Sequence, residues 1–95
     1  MKQDRKKIIK EKELICDGRV YRYRLIQTRS QKVASYLMPL YSIEVSLTHL
    51  GETTESSIDE LFSDIGKALV FFDMLVDTLA TPIDLPYIIE DRISM

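Results

Sequence analysis

The sequence predicts an α+β domain: an antiparallel sheet of three to four strands, an N-terminal hairpin plus a meander, packed against a long helix and a short C-terminal helix. Three observations carry that expectation. Asp17-Gly18 stands between two strand-like runs, residues 41–48 alternate apolar and polar side chains, and from Ile65 the apolar period lengthens to about 3.6 residues. The 95 residues leave no room for a second domain, so 1–95 is read as one unit. With 45% hydrophobic and 29% charged residues, the balance is that of a globular chain rather than a disordered one. Within it, residues 1–7 read as a flexible basic arm, 8–61 as the sheet and 63–93 as the two helices.

Asp-Gly supplies both positive-φ residues of a two-residue type I′ turn, and such a turn fixes the strand register. Cys16 then faces Arg19, Ile15 faces Val20, Leu14 faces Tyr21, Glu13 faces Arg22, Lys12 faces Tyr23, Glu11 faces Arg24, Lys10 faces Leu25 and Ile9 faces Ile26. The two opposite-charge pairs among these contribute roughly 0.2–1 kcal/mol each. Residues 28–35 lack periodicity and read as a loop. Tyr41, Ile43, Val45 and Leu47 alternate with Ser42, Glu44, Ser46 and Thr48, the pattern of a strand with one buried face. A Gly-containing turn at 48–52 leads to a weaker returning strand, Thr53 to Leu61.

Ile65, Ala68, Leu69, Phe72, Leu75, Val76 and Leu79 share one helix face, with Ser63 as N-cap and Asp64 favourable at the positive end of the helix dipole. A competing start exists, because Ser57 and Glu60 form a capping-box pattern and Ile58, Leu61 and Phe62 continue the stripe. Gly66 and the Ser/Thr-rich approach favour the later start. Thr81-Pro82 ends this helix, since the residue before proline is pushed out of the α region. Asp84 then caps a short helix with Leu85, Ile88 and Ile89 inward and Pro86 in its first turn.

The order of hairpin, Tyr41-Ser42-Ile43-Glu44-Val45 strand, polar turn, Ser63-Asp64 helix opening and Pro82-Ile83-Asp84-Leu85 through Ile88-Ile89-Glu90-Asp91 resembles one known family. It is a family of small, uncharacterised bacterial proteins, found widely in anaerobic Gram-positive bacteria, that carries only a domain-of-unknown-function label. The resemblance covers about two-thirds of the chain. It implies a fold and a cytoplasmic setting and brings no activity with it. This chain differs in having Asp84 where the family often carries His, and in its unusually apolar helix around Phe71, Phe72 and Met74.

Several function classes find no support in the residues. A lone cysteine, Cys16, excludes an internal disulfide framework and a Cys-rich zinc module and fits a reducing cytoplasm. The longest apolar run, Ala68-Leu69-Val70-Phe71-Phe72, falls far short of the ~20 residues of a membrane span. No apolar run follows the charged Met1–Lys7 segment, unlike a secretory signal. Glycines 18, 51 and 66 stand apart, so no phosphate-cradling loop is present. The one histidine, His49, has no sequence relation to Cys16 that would make a nucleophile–base pair, and the acids at 52, 55, 59, 60 and 64 lack calcium-loop spacing. The expectation is therefore no catalytic, cofactor or metal residues.

Charge is unevenly spread. Residues 1–32 hold 11 of the 13 basic residues against four acids, a net +7, while residues 33–95 hold two basic residues against 11 acids, a net −9. Either the two parts attract one another, or one of them meets a partner of opposite charge. A nucleic-acid contact would draw on Arg5, Lys6, Lys7, Arg19, Arg29 and Lys32, with Tyr21 and Tyr23 interleaved as stacking groups. The acidic remainder would suit an inhibitor of a basic protein. Once the core stripe is assigned, Val70, Phe71 and Met74 remain as surplus apolar residues: either the Leu85–Ile93 helix or the sheet covers them, or they form a homodimer or partner interface. The leading expectation is a non-enzymatic cytoplasmic interaction or regulatory module whose partner is itself or another protein, with no membrane and no metal. Nucleic-acid binding and an acidic inhibitor are the alternatives.

Overall fold

The computed structural model describes residues 5–29 and 39–93. Four strands, β1 (Arg5–Cys16), β2 (Arg19–Arg29), β3 (Leu40–His49) and β4 (Glu52–Phe62), precede two helices, α1 (Ile65–Asp77) and α2 (Asp84–Ile93). The strands form one antiparallel meander in the order β1-β2-β3-β4. The α+β architecture is as expected, but the first helix is 13 residues rather than long.

Asp17 and Gly18 have φ of 52° and 76°, the turn their sequence demands. The paired register runs as expected from Cys16↔Arg19 to Lys10↔Leu25 and then shifts, so Ile8 rather than Ile9 lies opposite Ile26. Strict alternation would send only one of two consecutive isoleucines inward. The bulge lets Ile9 pack against the core and leaves Ile8 exposed. Beyond it, pairing continues to Arg5↔Arg29, so 5–7 are strand rather than a free arm, and Thr28 and Arg29 are strand rather than loop. Leu50 and Gly51 build a second left-handed turn, with φ of 55° and 81°, joining β3 to β4. Residues 53–61 are strand, and the competing helix start at Ser57 is not used.

Asp64, not Ser63, caps α1: its backbone is extended and its Oδ1 accepts from the Gly66 and Lys67 N–H groups at 2.7 and 3.3 Å. The helix stops at Asp77, four residues ahead of the Thr81-Pro82 stop that proline sterics predicted. Leu79 adopts φ 52°, its N–H donates to the Val76 carbonyl and the Ala80 N–H donates to the Leu75 carbonyl, a left-handed closure built without glycine. Thr81 and Asp84 then bond reciprocally: the Thr81 N–H donates to Asp84 Oδ2 at 3.1 Å and the Asp84 N–H donates to Thr81 Oγ1 at 3.3 Å. Thr81 is therefore the cap of the second helix, with Pro82 tolerated in its opening turn and Asp84 as the returning acid of a capping box.

Both helices cover one face of the sheet. Tyr21, Tyr23 and Leu25 of β2 and Tyr41, Ile43 and Val45 of β3 meet Ala68, Phe71, Phe72 and Leu75 of α1 and Leu85 and Ile89 of α2. The buried stripe of α1 is rotated from the expected one, taking in Phe71 and leaving Ile65 39% exposed. Tyr23 lies at the centre. It is fully buried and its hydroxyl donates to the Ala80 carbonyl at 2.8 Å. Burial, with smaller contributions from Tyr21 and Asp84, pushes its pKa from the ordinary 10.0 up to about 12.

A phenol with a raised folded-state pKa keeps its proton longer in the folded chain. Its contribution is intact below pH 10.0 and is lost as pH climbs towards about 12. Denaturation followed across that window should show a loss of roughly 2–3 kcal/mol. Tyr23→Phe should abolish that step and cost roughly 1–3 kcal/mol at neutral pH, because the Ala80 carbonyl loses its donor.

Candidate functional site

The sheet face opposite the helices is half-exposed around Arg22 and Arg24, whereas Ile26, Thr28 and Ser42 on the same face are buried. The alternation that buries Tyr21, Tyr23 and Leu25 turns Arg22 and Arg24 to this side, where the register sets Arg22 beside Glu13 and Ser46 and Arg24 beside Glu11 and Glu44. Arg24 Nε donates to Glu11 Oε2 at 2.7 Å, its Nη1 lies 3.6 Å from Glu44 Oε1, and Arg22 Nη2 lies 3.5 Å from Glu13 Oε1. The hydrogen bond to Glu11 raises the Arg24 pKa above its already high ordinary value, and both arginines are engaged by carboxylates. Exposed pairs of this kind contribute about 0–1 kcal/mol each. Arg22, Arg24, Glu44, Ser46, Glu55 and Ser57 line a shallow concavity of about 230 Å³ on this face.

The two outer strands differ in charge. On β1, Glu11 and Glu13 are held by the β2 arginines, and Lys10 bridges to α1, with Nζ 3.0 Å from Asp73 Oδ1 and 5.5 Å from the centroid of the Phe72 ring. Among the described residues no ion pair joins Lys6, Lys7, Lys12 or Arg19 to a carboxylate. On β4, Glu52, Glu55 and Asp59 stand exposed with no cation paired to them among the described residues. Among the described residues the ion pairs between the two parts of the chain are Lys10–Asp73 and Arg24–Glu44, and the lysines of β1 and the acids of β4 lie on opposite edges of the sheet.

The sequence-predicted residues fall unevenly onto this frame. Phe71 is 1% exposed, with its ring 5.4 Å from that of Phe62, so it is a core residue and not an interface residue. Met74 is half-buried against the core, and Val70 is 65% exposed. Of the three surplus apolar residues the sheet covers Phe71 and leaves Val70 outside, a division the sequence leaves ambiguous because α1 is apolar around most of its circumference. Of the basic set, Lys6, Lys7 and Arg19 are exposed, while Lys32 and the side chains of Arg5 and Arg29 lie outside the described residues. Tyr21 and Tyr23 are core residues with no face to offer a base. Cys16 and His49 lie on one row of the sheet, each directly opposite Arg19. With a strand between them their backbones are roughly 9–10 Å apart, and the Cys16 thiol instead lies 4.0 Å from Asp17 Oδ2.

Among the described residues, a four-stranded antiparallel meander with two helices on one face and ion-paired arginines on the other defines the protein as a small α+β domain. The chain belongs to a family of unknown function, DUF6514, whose model matches residues 5–95. No curated protein and no solved structure matches it. No helix among the described residues is long and apolar enough to cross a membrane.

The burial contrast on α1 is directly measurable. Phe71→Ala should lower stability by roughly 3–5 kcal/mol in a urea titration, as truncation of a core aromatic does. Val70→Ala should stay within about 0.5 kcal/mol of the parent. Equal effects would mean that α1 packs with a different face inward.

Proposed function

We propose that the chain is a non-enzymatic protein-interaction or regulatory module that works through the edges of its sheet. The observation that carries this reading is the pair of outer strands, each paired on one side only among the described residues and bearing opposite charge, β1 with Lys6, Lys7 and Lys12 and β4 with Glu52, Glu55 and Asp59. An unpaired strand presents a row of backbone donors and acceptors that another chain can complete, and its side-chain charges decide which chain. The partner is a second copy or another protein, met in the cytoplasm. The separation of Cys16 and His49 by the β2 strand supports a role without catalysis, and turnover of any substrate that disappears in Cys16→Ala or His49→Ala would overturn it.

Solution mass by light scattering, at low and high salt, tests the edge reading. The parent chain of 11.0 kDa is compared with Lys7→Glu/Lys12→Glu and Glu55→Lys/Asp59→Lys proteins. An assembly that either reversal shifts, in proteins with unchanged circular dichroism, puts the edges at the contact. An assembly indifferent to both reversals would move the contact to the exposed helix residues Val70, Ile83 and Tyr87.

A second reading, nucleic-acid binding through β1, is favoured by Lys6, Lys7, Lys12 and Arg19, which have no ion pair among the described residues, and would act on the phosphate backbone alone. It predicts binding of single-stranded oligonucleotides that falls steeply with salt and is lost in Lys7→Glu/Lys12→Glu. Absent or salt-independent binding removes it.

A further inference from the structure

The two edges are not equally receptive. β1 is interrupted by the shift between Ile8 and Lys10 and carries lysines at 6, 7, 10 and 12, the combination with which sheets defend an edge. β4 from Glu52 to Ile58 follows β3 residue by residue without a break, and the register shift comes only beyond Ile58. Its side chains there are short: Thr53, Thr54, Ser56 and Ser57 surround Glu55, with no proline and no lysine. The charges along it are all negative and lack cation partners among the described residues. We propose that the outer edge of β4 takes an extended basic segment of a partner protein as an added antiparallel strand. Lysines or arginines of that segment reach Glu55 on the face away from the helices and, past the register shift, Asp59, while Glu52, opposite His49, stands on the helix side and the backbone completes the ladder. This rests on the edge-docking reading above and names the chemistry of its partner.

A second copy fits this edge poorly. Pairing β4 with β4 would bring Glu52, Glu55 and Asp59 of both chains into one seam. Continuing the sheet with β1 of another copy, helices on the same side, would set Glu11 and Glu13 on the face that carries Glu55 and send Lys7, Lys10 and Lys12 to the other face, away from it. Like charges in neighbouring strands oppose both arrangements.

The test is amide hydrogen exchange on the full chain, with three synthetic peptides as probes: Thr-Lys-Val-Lys-Thr-Lys-Val and its counterparts with glutamate or with serine in place of lysine. The lysine peptide should slow exchange at residues 52–58 and no other strand edge. Its affinity should fall about tenfold in Glu55→Lys/Asp59→Lys, since two attractive cross-strand pairs become repulsive. In that variant the glutamate peptide should become the better ligand. Binding should weaken from about 0.05 M to about 0.5 M salt, whereas self-pairing of β4 would strengthen. Equal protection by the serine peptide would overturn the basic preference and leave edge docking standing. Protection at β1 instead of β4 would overturn the choice of edge. If no peptide protects β4 while charge reversal still shifts the solution mass, the partner chemistry is wrong and the module reading survives. If neither responds, both fall.

Discussion

The bond from the Tyr23 hydroxyl to the Ala80 carbonyl joins the middle of the sheet to the link between the two helices. Much of the architecture converges on that point. Ala80 can present its carbonyl inward because Leu79 takes a left-handed conformation and closes α1 at Asp77, and α2 can start at once because Thr81 and Asp84 cap it reciprocally. Tyr23 can reach it because β2 alternates strictly, sending Tyr21, Tyr23 and Leu25 towards the helices. A fully buried phenol without a partner would cost on the order of 1–3 kcal/mol, so the link between the helices is held where it satisfies the sheet.

The same alternation produces the other face. Every residue that β2 does not bury on the helix side points away from it, and Arg22 and Arg24 find Glu11, Glu13 and Glu44 there because the Asp17-Gly18 turn sets the register. Those pairs consume the acids of β1, which leaves its lysines as the net charge of that edge. On β4 the situation is reversed, since β3 contributes no lysine or arginine to pair with Glu52, Glu55 or Asp59. A chain that is +7 in residues 1–32 and −9 in the rest therefore folds into a sheet with a basic and an acidic margin instead of cancelling within itself. A meander places its first and last strands furthest apart, so topology alone forces the separation.

Much of the fold was legible because its signals are local. Asp17-Gly18, the period-two run from Tyr41 and the switch to a helical period at Ile65 each correspond to an element that formed. What was not legible depends on tertiary packing. The bulge at Ile9 is decided by the core, the end of α1 by a left-handed leucine that propensity disfavours, and the inward place of Phe71 by which face of an apolar helix the sheet covers. Successive hairpins imply a meander and hence opposite edges, whereas the segment charges of +7 and −9 carry no strand position. Position also decides Cys16 and His49: unrelated in sequence, they share a row of the sheet and are still held one strand apart.

Amide hydrogen exchange of the isolated chain, resolved residue by residue, tests the central claim of a latched core between two open margins. Amides of Tyr23, Leu25, Ile43 and Val45 should exchange slowest, and the outward-facing amides of β1 and β4 should exchange fast. Slow exchange along the outer side of β4 in the free chain would contradict it, because that edge would already be covered and could not receive a partner.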